Sequence, residues 1–333
     1  MNVTIKDVAK AAGVSVATVS RVLNNSATVS AAATEQVNNA IEKLGYSPNF
    51  LGRNLRKCET NVILAIIPST EQTFYSDIIR GMQTGASDYG YDILLSTSNS
   101  TYSIEMRLLN MVFNRTVDAA ILLGTQLDTD TLKELNQKHY IALCCERVEG
   151  AEVLTVTVDD EGGAYTAVNH LIQNGHKKIG IVSTNVNALS SIDREHGYRR
   201  ALEENGIEFD EKYIYKGTYD FQHGALAFDY FRSLSDPPTA IFCISDILAV
   251  SVVKQALHEG YKIGDDISVC GFDNILLSSM YTPGITTIEQ PCYEIGRTVV
   301  QELIKNIQQD LKSNKQIKLP YKLIERESVK NIK

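Results

Sequence analysis

Residues 3–25 read VTIKDVAKAAGVSVATVSRVLNN. Thr4-Ile5-Lys6-Asp7 is a Thr-x-x-Asp capping box, which predicts a helix running to about Ala11. Ala12-Gly13-Val14 reads as a turn, and Ser15 caps a second helix over Val16–Leu23. This second helix is made mostly of small residues, with Arg21 as its one full charge. A helix built to dock into a core wants larger side chains, and one built only for the surface wants more charge. Two helices joined by a Gly-containing turn match the helix-turn-helix, whose second helix enters the DNA major groove and presents its N-terminal residues to base edges. Small residues let the backbone approach, one Arg can take a guanine bidentately, and a methyl can meet a thymine methyl. A purely structural helical subdomain has the same pattern, so at this level both readings stand.

Further along, Ser30 caps a third helix that runs to Leu44, with Val37, Ile41 and Leu44 at helical spacing, and Tyr46-Ser47-Pro48 ends regular structure. From residue 62 the pattern changes to apolar strand-like runs at 62–68, 91–98, 117–124, 141–146, 178–184, 240–245 and 267–273. Helical stretches such as 76–89, 162–174 and 194–205 separate them. Strands buried on both faces and joined by helices imply parallel sheets with crossover connections. About 270 residues of this exceed one comfortable sheet, so two α/β lobes are expected. The predicted organisation is a head over 1–46, a hinge over 47–60 and a two-lobed body over 61–333. Ligands in such sheets bind at the carboxyl ends of the strands, which here read Pro68-Ser69, Cys145-Glu146-Arg147, Ser245-Asp246 and Phe272-Asp273.

The net charge of −8 argues against a nucleic-acid partner until its distribution is considered. Residues 1–60 carry a net +3 and the rest a net −11, a small basic head on an acidic body. No apolar signal segment opens the chain and no run of 18 apolar residues occurs, so a cytoplasmic protein without a membrane span is expected. The six cysteines are scattered without metal-ligand spacing and read as buried thiols of a reducing compartment. No GxGxxG follows the first strand, and no GxxxxGK[ST] loop, GxSxG elbow or HExxH pair is present, so no enzyme, cofactor or metal is expected. His170 and His176 read as helix-end or surface residues, and the run Asp159-Asp160-Glu161 as a cap for the helix at 162.

The head stretch 3–25, LGYSPNFLGRNL (44–55), HLIQNGHKKIGIV (170–182), REHGYRRALEENGI (194–207), PPTAIFCISDILAVSVVKQALHEGYKIGDDISVCGFDN (237–274) and TPGITTIEQPCYEIG (282–296) together resemble the lactose/galactose repressor (LacI/GalR) family of bacterial transcription regulators. The resemblance covers nearly the whole chain. It implies an all-α helix-turn-helix head and an α/β body of two doubly wound parallel-sheet lobes resembling periplasmic sugar-binding proteins. Val16 and Ala17 match the base-reading positions, and Thr18, Ser20 and Arg21 match positions that contact phosphates and bases. Thr4, Ser15, Asn24 and Asn49 complete the implied DNA-facing set, and Leu55 stands at the position of the hinge wedge that enters the minor groove. Glu146, Arg194, Asp273 and Gln290 match positions that hydrogen-bond an effector, with Ser245 and Asp246 beside them, and Phe74 and Tyr219 match positions that pack against it.

The function so implied is an allosteric repressor of carbohydrate-utilisation genes. Its partners are double-stranded, pseudo-palindromic operator DNA, a sugar or sugar phosphate, and a second copy of itself in a homodimer; it is placed in the cytoplasm with the nucleoid. The alternatives are a catabolite-control-type regulator whose co-regulator is a phosphorylated carrier protein, and a transporter's sugar-binding protein.

Three departures from the family pattern carry expectations. Gly52 stands where Ala is usual, and glycine costs about 1 kcal/mol against alanine in a helix, so the hinge helix should be less stable when free. The third helix opens SAAATEQV (30–37) without Lys or Arg, which predicts a shallow salt dependence of DNA binding. Ser245 and Glu146 replace the more usual Asn and Asp, which leaves any particular sugar undetermined.

Overall fold

The computed structural model describes residues 3–23, 29–46, 59–185 and 188–333. The chain divides into two compact units, Met1–Glu59 and Thr60–Lys333.

Among the described residues of the first unit three helices follow one another: α1 (Ile5–Ala12), α2 (Val16–Leu23) and α3 (Ala31–Leu44). The Asp7 carboxylate accepts from the Thr4 amide (2.9 Å) and the Thr4 hydroxyl (2.7 Å), as the capping pattern predicts. These bonds hold the Asp7 carboxyl below its usual range. Gly13 ends α1 at φ 66°, a left-handed conformation that turns the chain and that few residues other than glycine adopt without strain. Val8, Ala9, Ala12, Val19, Val22, Val37 and Ala40 form the buried core of this unit. Ser30 caps α3, its hydroxyl accepting from the Ala33 amide.

The second unit holds two six-stranded sheets. The first has strands β1 (Val62–Ile67), β2 (Asp92–Thr97), β3 (Ala119–Leu123), β4 (Tyr140–Cys144), β5 (Leu154–Val158) and β11 (Gln316–Leu319) in the order β11-β5-β4-β3-β1-β2, all parallel. The second has β6 (Ile179–Thr184), β7 (Ile214–Gly217), β8 (Ala240–Cys243), β9 (Ser268–Asp273), β10 (Thr286–Glu289) and β12 (Lys322–Ile324) in the order β12-β10-β9-β8-β6-β7, parallel except for β12.

Crossover helices carry the chain between strands. In the first lobe these are α4 (Phe74–Ser87), α5 (Tyr102–Phe113) and α6 (Thr129–Lys138). The second lobe has α7 (Asp160–Gln173), α8 (Leu189–Glu204), α9 (Phe221–Ser233), α10 (Asp246–His258) and the short α11 (Leu276–Met280). Helix α12 (Cys292–Gln309) returns to pack on α4 and β4 of the first lobe. The chain therefore passes between the lobes three times, at about 159, 290 and 320.

Seven strands fall where the apolar runs predict them. Strands β5, β7, β10, β11 and β12 are additional, and several are written partly in threonine: Thr155 and Thr157 of β5 and Thr286 and Thr287 of β10 are all buried. Their hydroxyls find partners indoors. Thr155 donates to the Val153 carbonyl (3.0 Å), and Thr286 donates to the carbonyl of Arg326 (3.1 Å). His176, expected at a helix end or the surface, lies just past the end of α7, its amide bonded to the Leu171 carbonyl, and is buried, with its Nδ1 3.0 Å from the Thr239 hydroxyl. Among the described residues no helix is long and apolar enough to cross a membrane.

Candidate functional sites: head helix and interlobe cleft

Helix α2 sorts its residues by face. Val19 and Val22 are buried, whereas Val16 is 41% exposed and Ala17 and Arg21 are exposed. The Ser15 hydroxyl accepts from the Thr18 amide (3.1 Å) and lies 2.9 Å from the Thr18 hydroxyl, so the helix start is fixed by polar groups set beside the two small apolar ones. Thr18 and Ser20 are half-buried at the edge of that face, and Thr4 is exposed with its hydroxyl on Asp7. A helix N-terminus also offers free backbone N–H groups and a partial positive charge to phosphate. Asn24, Asn49, Leu55 and Gly52 lie outside the described residues.

In the body, the strand ends converge as expected. Arg194 on α8 is the hub and is 5% exposed. Its Nε donates to Asp160 Oδ1 (2.9 Å), its Nη2 lies 2.7 Å from the same oxygen, and its Nη1 donates to the Ile244 carbonyl (2.6 Å). Its guanidinium sits 3.7 Å above the Phe272 ring, and Asp273 Oδ1 is 3.7 Å from Nη1. Gln290 donates to Asp273 Oδ1 (2.7 Å). Burial pushes the Asp273 carboxyl up to about 6, with Arg194 and the Gln290 bond acting in the opposite sense. Burial likewise raises Asp160, against the pull of Arg194.

From the first lobe comes Glu146, just beyond β4. Cys145 before it holds φ 64°, a left-handed conformation costly for a side-chain-bearing residue. The Glu146 carboxylate accepts from the Ser190 amide (3.1 Å) and hydroxyl (2.8 Å) of α8, across the cleft. Arg147 grips Asp193 on the same helix bidentately, Nη2 lying 2.8 Å from both carboxylate oxygens. Two consecutive residues of one lobe thus clasp one helix of the other. Burial raises the Glu146 carboxyl, partly offset by the Ser190 bonds.

Phe74 is half-buried at the start of α4 and edge-on to Tyr75, and the Tyr219 hydroxyl is 3.1 Å from that of Ser191. Tyr75 is raised first by burial, then by Cys145, Tyr219, Asp273 and Glu146, which places it among the cleft residues. Ser245 is buried with a hydroxyl that meets no hydrogen-bond partner among the described residues.

Asp246, expected beside the effector, is held by groups of the protein itself. It is wholly buried, with Oδ1 accepting from the Thr287 hydroxyl (2.6 Å) and Oδ2 from the Ile275 amide (2.9 Å). A Cβ on Gly271 would come within 2.1 Å of its Oδ1, so β9 needs glycine there to admit the carboxyl. Burial, aided by Asp273, lifts its carboxyl to about 8. It ties α10 to β10 and the loop at 275. The carboxylate run at 159–161 is also corrected: Asp159 makes no capping bond, and Asp160 is the principal partner of Arg194. Tyr75, Ser190 and Asp193 went unnoticed in the sequence, and the pairings of Asp160 and Arg147 could not be read from it, because the paired groups lie 34 to 46 residues apart or on another lobe.

Residues 4–49 match the family described as bacterial regulatory proteins, lacI family, and residues 168–329 match the periplasmic binding protein-like domain. The HTH-type transcriptional repressor CytR of Escherichia coli (strain K12) is 37% identical over 306 residues, 92% of this chain and 90% of that protein. The chain belongs to the LacI family. Catabolite control protein A of Priestia megaterium, another relative of this LacI-family chain, is 35% identical over 99% of this chain and all of that protein. A solved structure of the lac repressor dimer bound to operator and an anti-inducer matches with a TM-score of 0.90 and 25% identity, covering 99% of this chain and 100% of that one. The chain is a DNA-binding transcription regulator with two parallel-sheet lobes behind its helix-turn-helix.

Proposed function

We propose that this LacI-family regulator is a repressor of carbohydrate-utilisation genes whose grip on operator DNA is set by a small hydroxylated effector held between the lobes. The observation that carries the reading is the pairing, in one chain, of an α2 start exposing Val16, Ala17 and Arg21 with a cleft whose two walls are joined by Glu146–Ser190 and Arg147–Asp193. Val16 and Ala17 read base edges at van der Waals distance, Arg21 supplies a bidentate or phosphate contact, and Ser15, Thr18, Ser20, Thr4, Asn24 and Asn49 position the helix on the backbone. Leu55 is the minor-groove wedge of the hinge over 47–60.

In the cleft, Glu146, Asp273, Gln290 and Ser245 face the effector, Arg194 orders them, and Phe74 and Tyr219 cover its apolar faces. An effector with different affinity for clasped and unclasped lobes shifts their populations, and the operator affinity changes by the same coupling. The protein works as a homodimer on a pseudo-palindrome, with the nucleoid in the cytoplasm, and carries out no catalysis. The edge strand β2 leaves Leu94 and Leu95 exposed, an apolar strip that a second copy covers.

Selection of binding sequences from a random duplex library by the full chain tests the head: an inverted repeat is expected, and exchange of Val16 and Ala17 should change the selected bases. Selection of no sequence, or of the same sequence by the exchanged variant, sinks the reading. The identity to catabolite control protein A keeps one alternative, a phosphorylated carrier protein as co-regulator. That reading predicts operator binding enhanced by such a carrier and indifferent to free sugars.

A further inference from the structure

The charges of the cleft do not balance. Glu146, Asp160 and Asp273 bring three carboxylates to it, and among the described residues the one cation within ion-pair distance of any of them is Arg194. That cation is already committed: two of its nitrogens contact Asp160, a third donates to the Ile244 carbonyl, and its plane covers Phe272. Arg147 at the rim is committed too, both by Nε and by Nη2, to Asp193. Glu146, by contrast, is held by groups that can leave. Among the described residues it is satisfied by Ser190 from the opposite lobe, through an amide and a hydroxyl, two donors of the kind a ligand itself brings. The buried Ser245 hydroxyl, just beyond the end of β8, meets no partner among the described residues.

Resting on the effector-cleft reading above, we propose that the cleft selects a hydroxyl-rich small molecule bearing an amine and rejects phosphate esters. The ligand's donors replace the Ser190 pair on Glu146, and its ammonium group brings a positive charge to Glu146, which has no cation within ion-pair distance among the described residues, and to Asp273, which shares Arg194 with Asp160. A phosphate would meet a guanidinium whose charge Asp160 and Asp273 already share, together with facing carboxylates, a like-charge juxtaposition made costly by burial. A neutral sugar is tolerated, since hydroxyl donors satisfy carboxylates without supplying charge.

The test uses the full chain and calorimetric titration with glucose, galactose and mannose, their 2-amino-2-deoxy forms and their 6-phosphates. The aminated member of the binding set should be about tenfold tighter than its parent, and its 6-phosphate at least about tenfold weaker. A 6-phosphate binding as tightly as its parent overturns the proposal. A second arm needs no ligand. Glu146→Gln removes one of the surplus charges and keeps an acceptor for Ser190, so the Tm at pH 7.5 should rise by about 1–3 °C. A fall in Tm overturns the charge argument whatever binds. If none of the nine compounds binds and the Tm still rises, the carbohydrate reading fails while the charge rule stands.

Discussion

Helix α2 of the head and the second-lobe wall of the cleft both carry side chains that we propose serve recognition, and they support them in opposite ways. Val16, Ala17 and Arg21 are exposed and lie outside the buried core of the described residues; Val19 and Val22 on the other face do the folding. In the cleft, Arg194, Asp160, Asp273 and Gln290 are buried at 9% exposure or less and satisfy one another. The head can therefore change what it reads without changing its stability. The cleft cannot, because the groups that would recognise a ligand also neutralise buried charge. The rim formed by Glu146 and Arg147 lies between these extremes, since its partners come from the other lobe.

The largest expected effect breaks the cleft side of this contrast. Asp160→Ala strands a buried guanidinium and should cost about 3–5 kcal/mol in urea unfolding; a loss below about 1 kcal/mol would mean that Arg194 finds another partner and the wall is not a unit. Next comes pH. The Asp246 carboxyl is lifted by burial to about 8, far above its value in an unfolded chain, so folding favours its protonated form. Its contribution is fully present below about pH 4 and is lost as the pH rises through about 8. Asp246→Asn, which keeps a neutral acceptor for Thr287, should flatten the fall in Tm between pH 5 and 9; parallel profiles would contradict this.

The head should behave otherwise. Arg21→Ala is expected to weaken operator binding by about 1–3 kcal/mol in titrated gel shifts with the Tm unchanged. A Tm that drops in step would show that Arg21 also holds the fold. Ser15→Ala removes a helix cap and should cost about 1 kcal/mol locally, visible as faster amide exchange along α2. The smallest effect belongs to the rim. Arg147 is 40% exposed, so a double-mutant cycle of Arg147→Ala with Asp193→Ala should give a coupling of only about 0.2–1 kcal/mol. A coupling above about 2 kcal/mol would put the rim with the rigid wall.

What was legible in the sequence follows the same division. Capping at Thr4, Ser15 and Ser30 and the turn at Gly13 are local, so three to four residues suffice to read them. The strands VILAII and AAILL announce themselves because both faces are buried in apolar surroundings. Strand β10 does not, because TTIE buries two threonines whose hydroxyls are satisfied only in the folded chain. Asp160 looked like a cap because the signal that distinguishes it, Arg194, lies 34 residues on. Tyr75 follows Phe74 and carries no motif of its own, and the bonds that hold Asp246 were not legible because Gly271, which makes room for it, is remote in sequence.

The three passages between the lobes give the cleft a mechanical character. Asp160 stands just past the first and Gln290 at the second. Two residues of the buried polar network around Arg194 are thus mounted on the pivot itself, where a small rotation moves distant atoms most. Whatever tightens the bonds at Asp160 or Asp273 alters the torque on that pivot directly, with no intermediate chain of contacts needed to transmit it. Affinity and lobe angle are then one adjustable quantity, and a substitution at the pivot should shift both together.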